Sequence, residues 1–260
     1  MIATLAAVVA AVIYAYAGWR AWRQAAGSQW TPLALAAHLL ALYKTIIVGH
    51  SLQIGAITAF SLLTWQSACL LWMFSLRERL HVLGIALYPL AALLVLVDAL
   101  LPQNGNPVPL EDWTIGVHIA FSVLSAGLLT LASITAVASA ILDQVLRNPS
   151  RMTLLQRMPP LQTLERLLFQ LIGIGFILLS LTILSGLLFV HDLFGQHLAQ
   201  KTLLTILAWT MFGILLWGRA RHGWRGRVAI RWALSAYATL VIAYFGSKLI
   251  VEQILGTHWT

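Results

Sequence analysis

IGIGFILLSLTILSGLLF, residues 172–189, runs for eighteen residues without a charge. As a helix at 1.5 Å per residue it is about 27 Å long, close to the roughly 30 Å of a hydrocarbon core, so it reads as a transmembrane helix. The apolar residues are continuous. A barrel strand is shorter and alternates apolar with polar positions, so this run excludes a β-barrel.

The rest of the chain repeats the pattern. It is 60% hydrophobic and only 9% charged, with a mean hydropathy of +0.86, which excludes an ordinary soluble domain. The first run, IATLAAVVAAVIYAYAG (2–18), has no basic segment before it and no small-residue cleavage site leading into a polar chain. It reads as a retained span rather than a signal peptide. The single cysteine, Cys69, sits in an apolar stretch, so neither a disulfide framework nor a thiolate metal site is expected. Apolar runs and polar breaks predict an all-α integral membrane protein of about eight helices in one transmembrane domain, 1–260. The spans fall near 2–19, 31–49, 54–76, 82–101, 114–142, 166–190, 201–218 and 231–254. The Pro/Asn/Gly run at 102–109 is a turn-rich cap, and the segment 147–167 has the composition of a short amphipathic helix on the bilayer surface.

A net charge of +8 can signal nucleic acid, but here the basic residues flank spans. Arg20 and Arg23 follow the first span, and Arg77 and Arg79 the third. Arg147, Arg151, Arg157 and Arg166 lie between the fifth and sixth, and Arg219, Arg221, Arg225, Arg227 and Arg231 between the seventh and eighth. All 13 arginines fall in alternate loops, which the positive-inside rule makes cytoplasmic. Both termini are then on the outer side of the membrane, and the expected partner is the lipid bilayer, not nucleic acid.

The polar residues left over gather on the outer side. His50, His191, His197 and His258 fall in outer segments, and His118 begins the fifth span. Lys44, Lys201 and Lys248 are also towards that side, either snorkelling to the interface or lining an anionic site. Walker A, HExxH, GxSxG and paired-cysteine motifs are missing, so hydrolase, NTPase and thiol-redox chemistry have no residues to rest on. Imidazole suits haem iron or a transition metal. His118 is placed either to ligate or to bond a neighbouring carbonyl at a helix start. His191 is followed by Asp192, which could orient its ring, but it also suits a plain helix C-terminus. His197 is six residues on, off the helical face of His191, and reads as a solvated turn residue. His38, in mid-span, reads as a residue bonding across helices.

Longer stretches carry a resemblance. WTIGVHIAFSVLSAGLLTLASITA, MPPLQTLERLLFQLIGIGF, the L-S-G at 184–186, LAWTMFGILLWGRARHGWRGR and YATLVIAYFGSKLI occur in an order that resembles the cytochrome c assembly protein family. These are integral-membrane haem handlers that include CcsA and CcmC, and the likeness is strongest to the HemX/YpjD-like branch, over essentially the whole chain. In haem-handling members, outer histidines flank a tryptophan-rich WWD segment that cradles haem. His118 matches the upstream histidine. VHDLFGQHLAQKTLLTILAW stands in the place of the WWD segment but keeps only Lys201 and Trp209 of its character. Trp217 stands where a further histidine is expected, and His258 is displaced towards the C-terminus.

The resemblance implies a non-enzymatic protein that binds or handles haem b on its outer face, accessory or regulatory rather than attaching haem. His118 would be one axial ligand and His191 or His258 the other, with Lys44, Lys201 and Lys248 near the propionates. Other cytochrome c maturation proteins would be its membrane partners. Two alternatives stand beside it. One is a partner in CorC-type magnesium or cobalt efflux, for which the acids Asp98, Glu111, Asp112 and Asp192 matter more. The other is a structural assembly subunit with incidental histidines.

Overall fold

The computed structural model describes residues 2–23, 29–48, 51–53, 55–76, 80–101, 107–109, 113–147, 158–189 and 198–246. Its α-helices are α1 (Ile2–Trp22), α2 (Thr31–Ile46), α3 (Ala56–Ser75), α4 (Gly84–Leu100), α5 (Trp113–Leu146), α6 (Leu161–Phe189), α7 (Leu198–His222) and α8 (Arg227–Val241). A π-helical turn, Ile242–Gly246, continues α8. Six of these, α1 and α3 to α7, are long and apolar enough to cross a membrane. The 16 residues of α2 and the 15 of α8 are shorter. The chain is a helical membrane protein, and its spanning helices contact the lipid bilayer.

α2 ends at Ile46, where the chain enters a short strand. Strands β1 (Ile47–Val48), β2 (Ser51–Gln53) and β3 (Pro107–Pro109) form an antiparallel sheet in the order β1-β2-β3. Part of the turn-rich cap is therefore a strand. It lies at the sheet edge, where a proline without an N–H donor costs no ladder bond. The amphipathic helix expected within 147–167 falls largely on 148–157, outside the described residues.

Both faces of α1 are apolar, so polarity does not decide which one packs. Size does. Ala6, Ala7, Ala10, Ala11, Tyr14, Ala17, Gly18 and Ala21 are buried, whereas Leu5, Val8, Val9, Val12 and Trp19 are exposed. Lipid tails solvate leucine as well as protein does, so small residues take the helix contact, where they let backbones approach. α1 packs this way on α2 and α4, and at Gly18 an added Cβ would sit 3.1 Å from the Pro89 ring of α4.

Buried polar side chains then lock the helices together. His38 of α2 bonds Ser61 of α3 through Nε2 at 3.0 Å and faces the Tyr14 hydroxyl of α1 through Nδ1 at 3.4 Å. This bears out its assignment as a cross-helix residue. α5 lies between the two halves of the chain. Ser67 of α3 donates to its Gly127 carbonyl at 3.0 Å, and Gln66 Nε2 donates to its Leu124 carbonyl at 3.0 Å. Ser125 of α5 donates to the Gly175 carbonyl of α6 at 2.9 Å, and Thr130 bonds Tyr237 of α8 at 2.9 Å. At one end of this set, Asp143 of α5 accepts from Arg227 of α8 at 2.7 Å, and Glu165 of α6 accepts from the Gly226 N–H at 2.8 Å. This is the arginine end. His118, at the start of α5, lies at the other.

The crossing of α3 and α5 depends on Gly127, since a Cβ there would collide with the Gln66 carboxamide. Gly127→Ala is expected to destabilise the protein by about 1–3 kcal/mol, the usual cost of overpacking, in equilibrium unfolding from detergent. Gly116→Ala, where an added Cβ meets nothing within 4 Å, should cost far less. Equal losses at both positions would contradict this packing.

Candidate functional site

The start of α5, the end of α6, the start of α7 and the π-helical turn after α8 enclose a cavity of about 250 Å³. That is slightly below the roughly 300–1,000 Å³ of small-molecule sites. His118 lines it from α5, Thr182 and Gly186 from α6, Lys201 from α7 and Tyr244 from the turn. Ile183, Leu187 and Ala243 make apolar wall.

Local sequence explains the placement of the imidazole. His118 is in the second turn of α5, and its Nδ1 lies 2.9 Å from Ser185 Oγ on α6. Ser185 Oγ in turn donates to the Thr182 carbonyl of its own helix at 3.0 Å. A hydroxyl has one proton. With that proton on the carbonyl, Oγ accepts from His118, so the ring proton is assigned to Nδ1 and Nε2 keeps its lone pair. A histidine that ligates a metal through one nitrogen has its other nitrogen fixed in this way. Gly186 makes room for the ring: a Cβ there would stand 3.3 Å from His118 Cε1. One turn further along α5, Ser122 donates back to the His118 carbonyl at 2.8 Å and joins the cavity wall.

Of the residues singled out in the sequence, the fold brings His118 and Lys201 to the same cavity. Lys44 lies elsewhere, near the end of α2, exposed and with Nζ 5.5 Å from the Tyr43 ring centre. His191, His258 and Lys248 lie outside the described residues, as do His197 and Asp192. Asp98 is buried at the end of α4 and accepts from Thr45 at 3.4 Å. No group of three or more His, Cys, Asp or Glu side chains is gathered for a metal ion among the described residues. Trp209 donates to Ser180 at 2.8 Å and stacks on Phe176. Trp217 lies near the arginine end, its ring 5.1 Å from that of His222.

The sequence alone does not mark Ser185, Gly186 or Tyr244 as site residues. A small pair facing a helix-start histidine is the signal that could have found the first two, and it needs the α5–α6 pairing to be read.

The sequence profile of the Cytochrome C assembly protein family matches residues 27–255. The chain is 33% identical over 257 residues to Inner membrane protein YpjD of Escherichia coli (strain K12), covering 97% of this chain and 95% of that protein. It is 28% identical over 124 residues to Cytochrome c biogenesis protein CcsA of Crocosphaera subtropica, covering 46% of this chain and 37% of the relative. With CcsA of Trichodesmium erythraeum it shares 24% identity over 158 residues, 60% of this chain and 41% of the relative. No solved structure matches.

The His118–Ser185 bond should be measurable as a coupling. In a double-mutant cycle of His118→Phe and Ser185→Ala, unfolding free energies should depart from additivity by about 0.5–1.5 kcal/mol, the net value of one hydrogen bond. Strict additivity would mean that the two side chains do not interact.

Proposed function

The chain belongs to the cytochrome c assembly protein family, and on that premise we propose that it binds haem at the cavity beside His118. It is a multi-pass protein of the bacterial inner membrane that holds or hands on haem without attaching it to a cytochrome. It crosses the membrane eight times, with α2 and the α8 segment as the shorter spans. The arginine end is cytoplasmic and both termini are periplasmic, because the arginines occupy only alternate loops. The whole chain acts as one membrane domain.

The observation that supports haem best is the hydrogen bond that fixes the His118 ring, 2.9 Å from Ser185. The residues present suit one edge of a haem. A neutral imidazole with its Nδ1 proton engaged keeps Nε2 free for iron. Ile183, Leu187 and Ala243 suit the apolar macrocycle, and Lys201 suits a propionate at the rim. When bound, haem would supply an iron that accepts imidazole ligands and can change oxidation state. His118 would hold that iron, with its ring positioned by Ser185 and Gly186, and Lys201 would add the countercharge. His191 or His258 would supply a second ligand, with Lys44 and Lys248 as further cations on the same side. The missing WWD residues around 190–209 argue against haem attachment, so an accessory or regulatory role fits better.

Protein purified from haem-replete cells should show a Soret band. His118→Ala should shift or abolish it, and added imidazole should partly restore it by filling the vacated position. His222→Ala, at the opposite end, should leave it unchanged. Wild-type protein that shows no Soret band and takes up no added haem would refute haem binding. Topology is tested separately: a reporter active only in the cytoplasm should work when fused after Arg225 and fail when fused at Thr260. Activity at Thr260 would reverse the orientation.

A further inference from the structure

The arginine end carries a second feature that haem binding does not use. The turn between α7 and α8, Gly223-Trp224-Arg225-Gly226, is rigid for reasons that can be named. Gly223 and Gly226 have φ of 65° and 60°, a region that side-chain-bearing residues rarely adopt. Trp224 packs its ring into the space left by the missing side chain of Gly218 and stacks on Trp232 of α8 at 5.8 Å. Arg219 donates to the Trp224 carbonyl at 3.1 Å and lies over the Phe169 ring at 4.6 Å.

Charge at this end is out of balance. Helices α5 to α8 and their connecting turn bring seven described arginines: Arg147, Arg166, Arg219, Arg221, Arg225, Arg227 and Arg231. Their described carboxylates are Asp143 and Glu165, and both are engaged. Asp143 is taken by Arg227 and Arg147, and Glu165 by the Gly226 N–H. Arg221, Arg225 and Arg231 are exposed and have no carboxylate partner among the described residues.

Position makes this excess specific. Ile214, Trp217 and Arg221 are spaced i, i+3, i+7 and share one face of α7. Ile214 is 37% and Trp217 61% exposed. From the middle of the helix to its end, this face runs aliphatic, aromatic, cationic. A phospholipid has the same order from chain to glycerol to phosphate, with the indole at the interface. Arg231 lies one turn inside α8 and is exposed, where an uncompensated guanidinium facing lipid is costly. Helices that cross a bilayer place their ends at its headgroups, so a phosphate is at hand whichever way the bundle faces.

From this arrangement we infer that the α7–α8 turn is a binding site for the headgroup of an anionic phospholipid. Arg221 and Arg225 hold its phosphate, Arg231 adds positive charge at the same end of the bundle, and one acyl chain lies along Trp217 and Ile214. Basic clusters at the ends of transmembrane helices recognise anionic lipids through such charge. The surrounding aromatic packing holds the turn in place before the lipid arrives, so little ordering cost falls on binding. The inference does not rest on haem binding.

The test is thermal stability of the delipidated protein in neutral detergent, with phosphatidylglycerol or phosphatidylcholine of the same chains added. Phosphatidylglycerol should raise Tm more than phosphatidylcholine at equal concentration, and rising salt should erase the difference. Arg221→Gln/Arg225→Gln/Arg231→Gln should need on the order of 100-fold more phosphatidylglycerol for the same rise, from about fivefold per lost charge. The corresponding triple Arg→Lys variant should respond nearly as wild type. Equal stabilisation by both lipids, or an unchanged response in the Gln variant, would overturn the inference. Inorganic phosphate alone giving the full stabilisation would assign the site to a free anion and overturn the lipid. Should the Gln variant fail to fold, the wild-type salt titration decides: a preference that salt does not weaken overturns it.

Discussion

A polar group taken into hydrocarbon has to find its partner inside the chain, and the arrangement of the helices follows from that constraint. Many hydroxyls meet it locally. Thr130, Thr135 and Ser139 of α5 donate to carbonyls four residues earlier in their own helix. Others reach across, as Ser67 does to Gly127 and Ser125 to Gly175. These cross-helix bonds fix the rotation of α5 between α3 and α6. Once α5 is fixed, its start presents His118 to Ser185, and the cavity opens beside the ring. The site is a consequence of how the bundle satisfies its serines.

The helices are legible because each apolar run is long and bounded by polar residues: every described α-helix overlaps one of these runs, and six of them are long and apolar enough to cross a membrane. What the runs do not encode is the end of α2. Strands of two and three residues, Ile47–Val48 and Ser51–Gln53, are too short to show a period. Nor does hydropathy separate lipid-facing from packed surface when both are apolar. Residue size does so on α1, through its alanine face. At the site, His118 was legible from its position at a span start near other histidines. Ser185 was not, because a serine in an apolar helix commonly bonds only its own backbone. Ser185 bonds its own backbone and also His118. Lys44 and Lys201 look alike in sequence, both near one side of the membrane. Packing separates them: α2 packs with α1, α3 and α4, whereas Lys201 stands on α7 beside α6.

The two ends of the bundle are built for different chemistry. Among the described residues the His118 end carries few charges and holds a ring positioned by a neutral hydroxyl. The arginine end is crowded with charge, ties α5 to α8 through Asp143 and Arg227, and leaves three guanidinium groups outward. Membership in the cytochrome c assembly family is the premise on which haem is proposed for the first end. The second end owes nothing to that membership and follows from where helix ends lie in a bilayer.

The central claim is that the His118 imidazole, held by Ser185, is the group that ligates haem iron. The spin state of the iron in the ferrous, haem-loaded protein reports on it most directly, read from the visible absorption bands. Two imidazoles hold ferrous haem low-spin, and loss of one leaves it high-spin. The wild type should be low-spin and His118→Ala high-spin, and Ser185→Ala should shift the reduction potential through the hydrogen bond at the ring's other nitrogen. A haem-loaded His118→Ala protein that stays low-spin, or a potential that does not respond to loss of Ser185, would contradict the account.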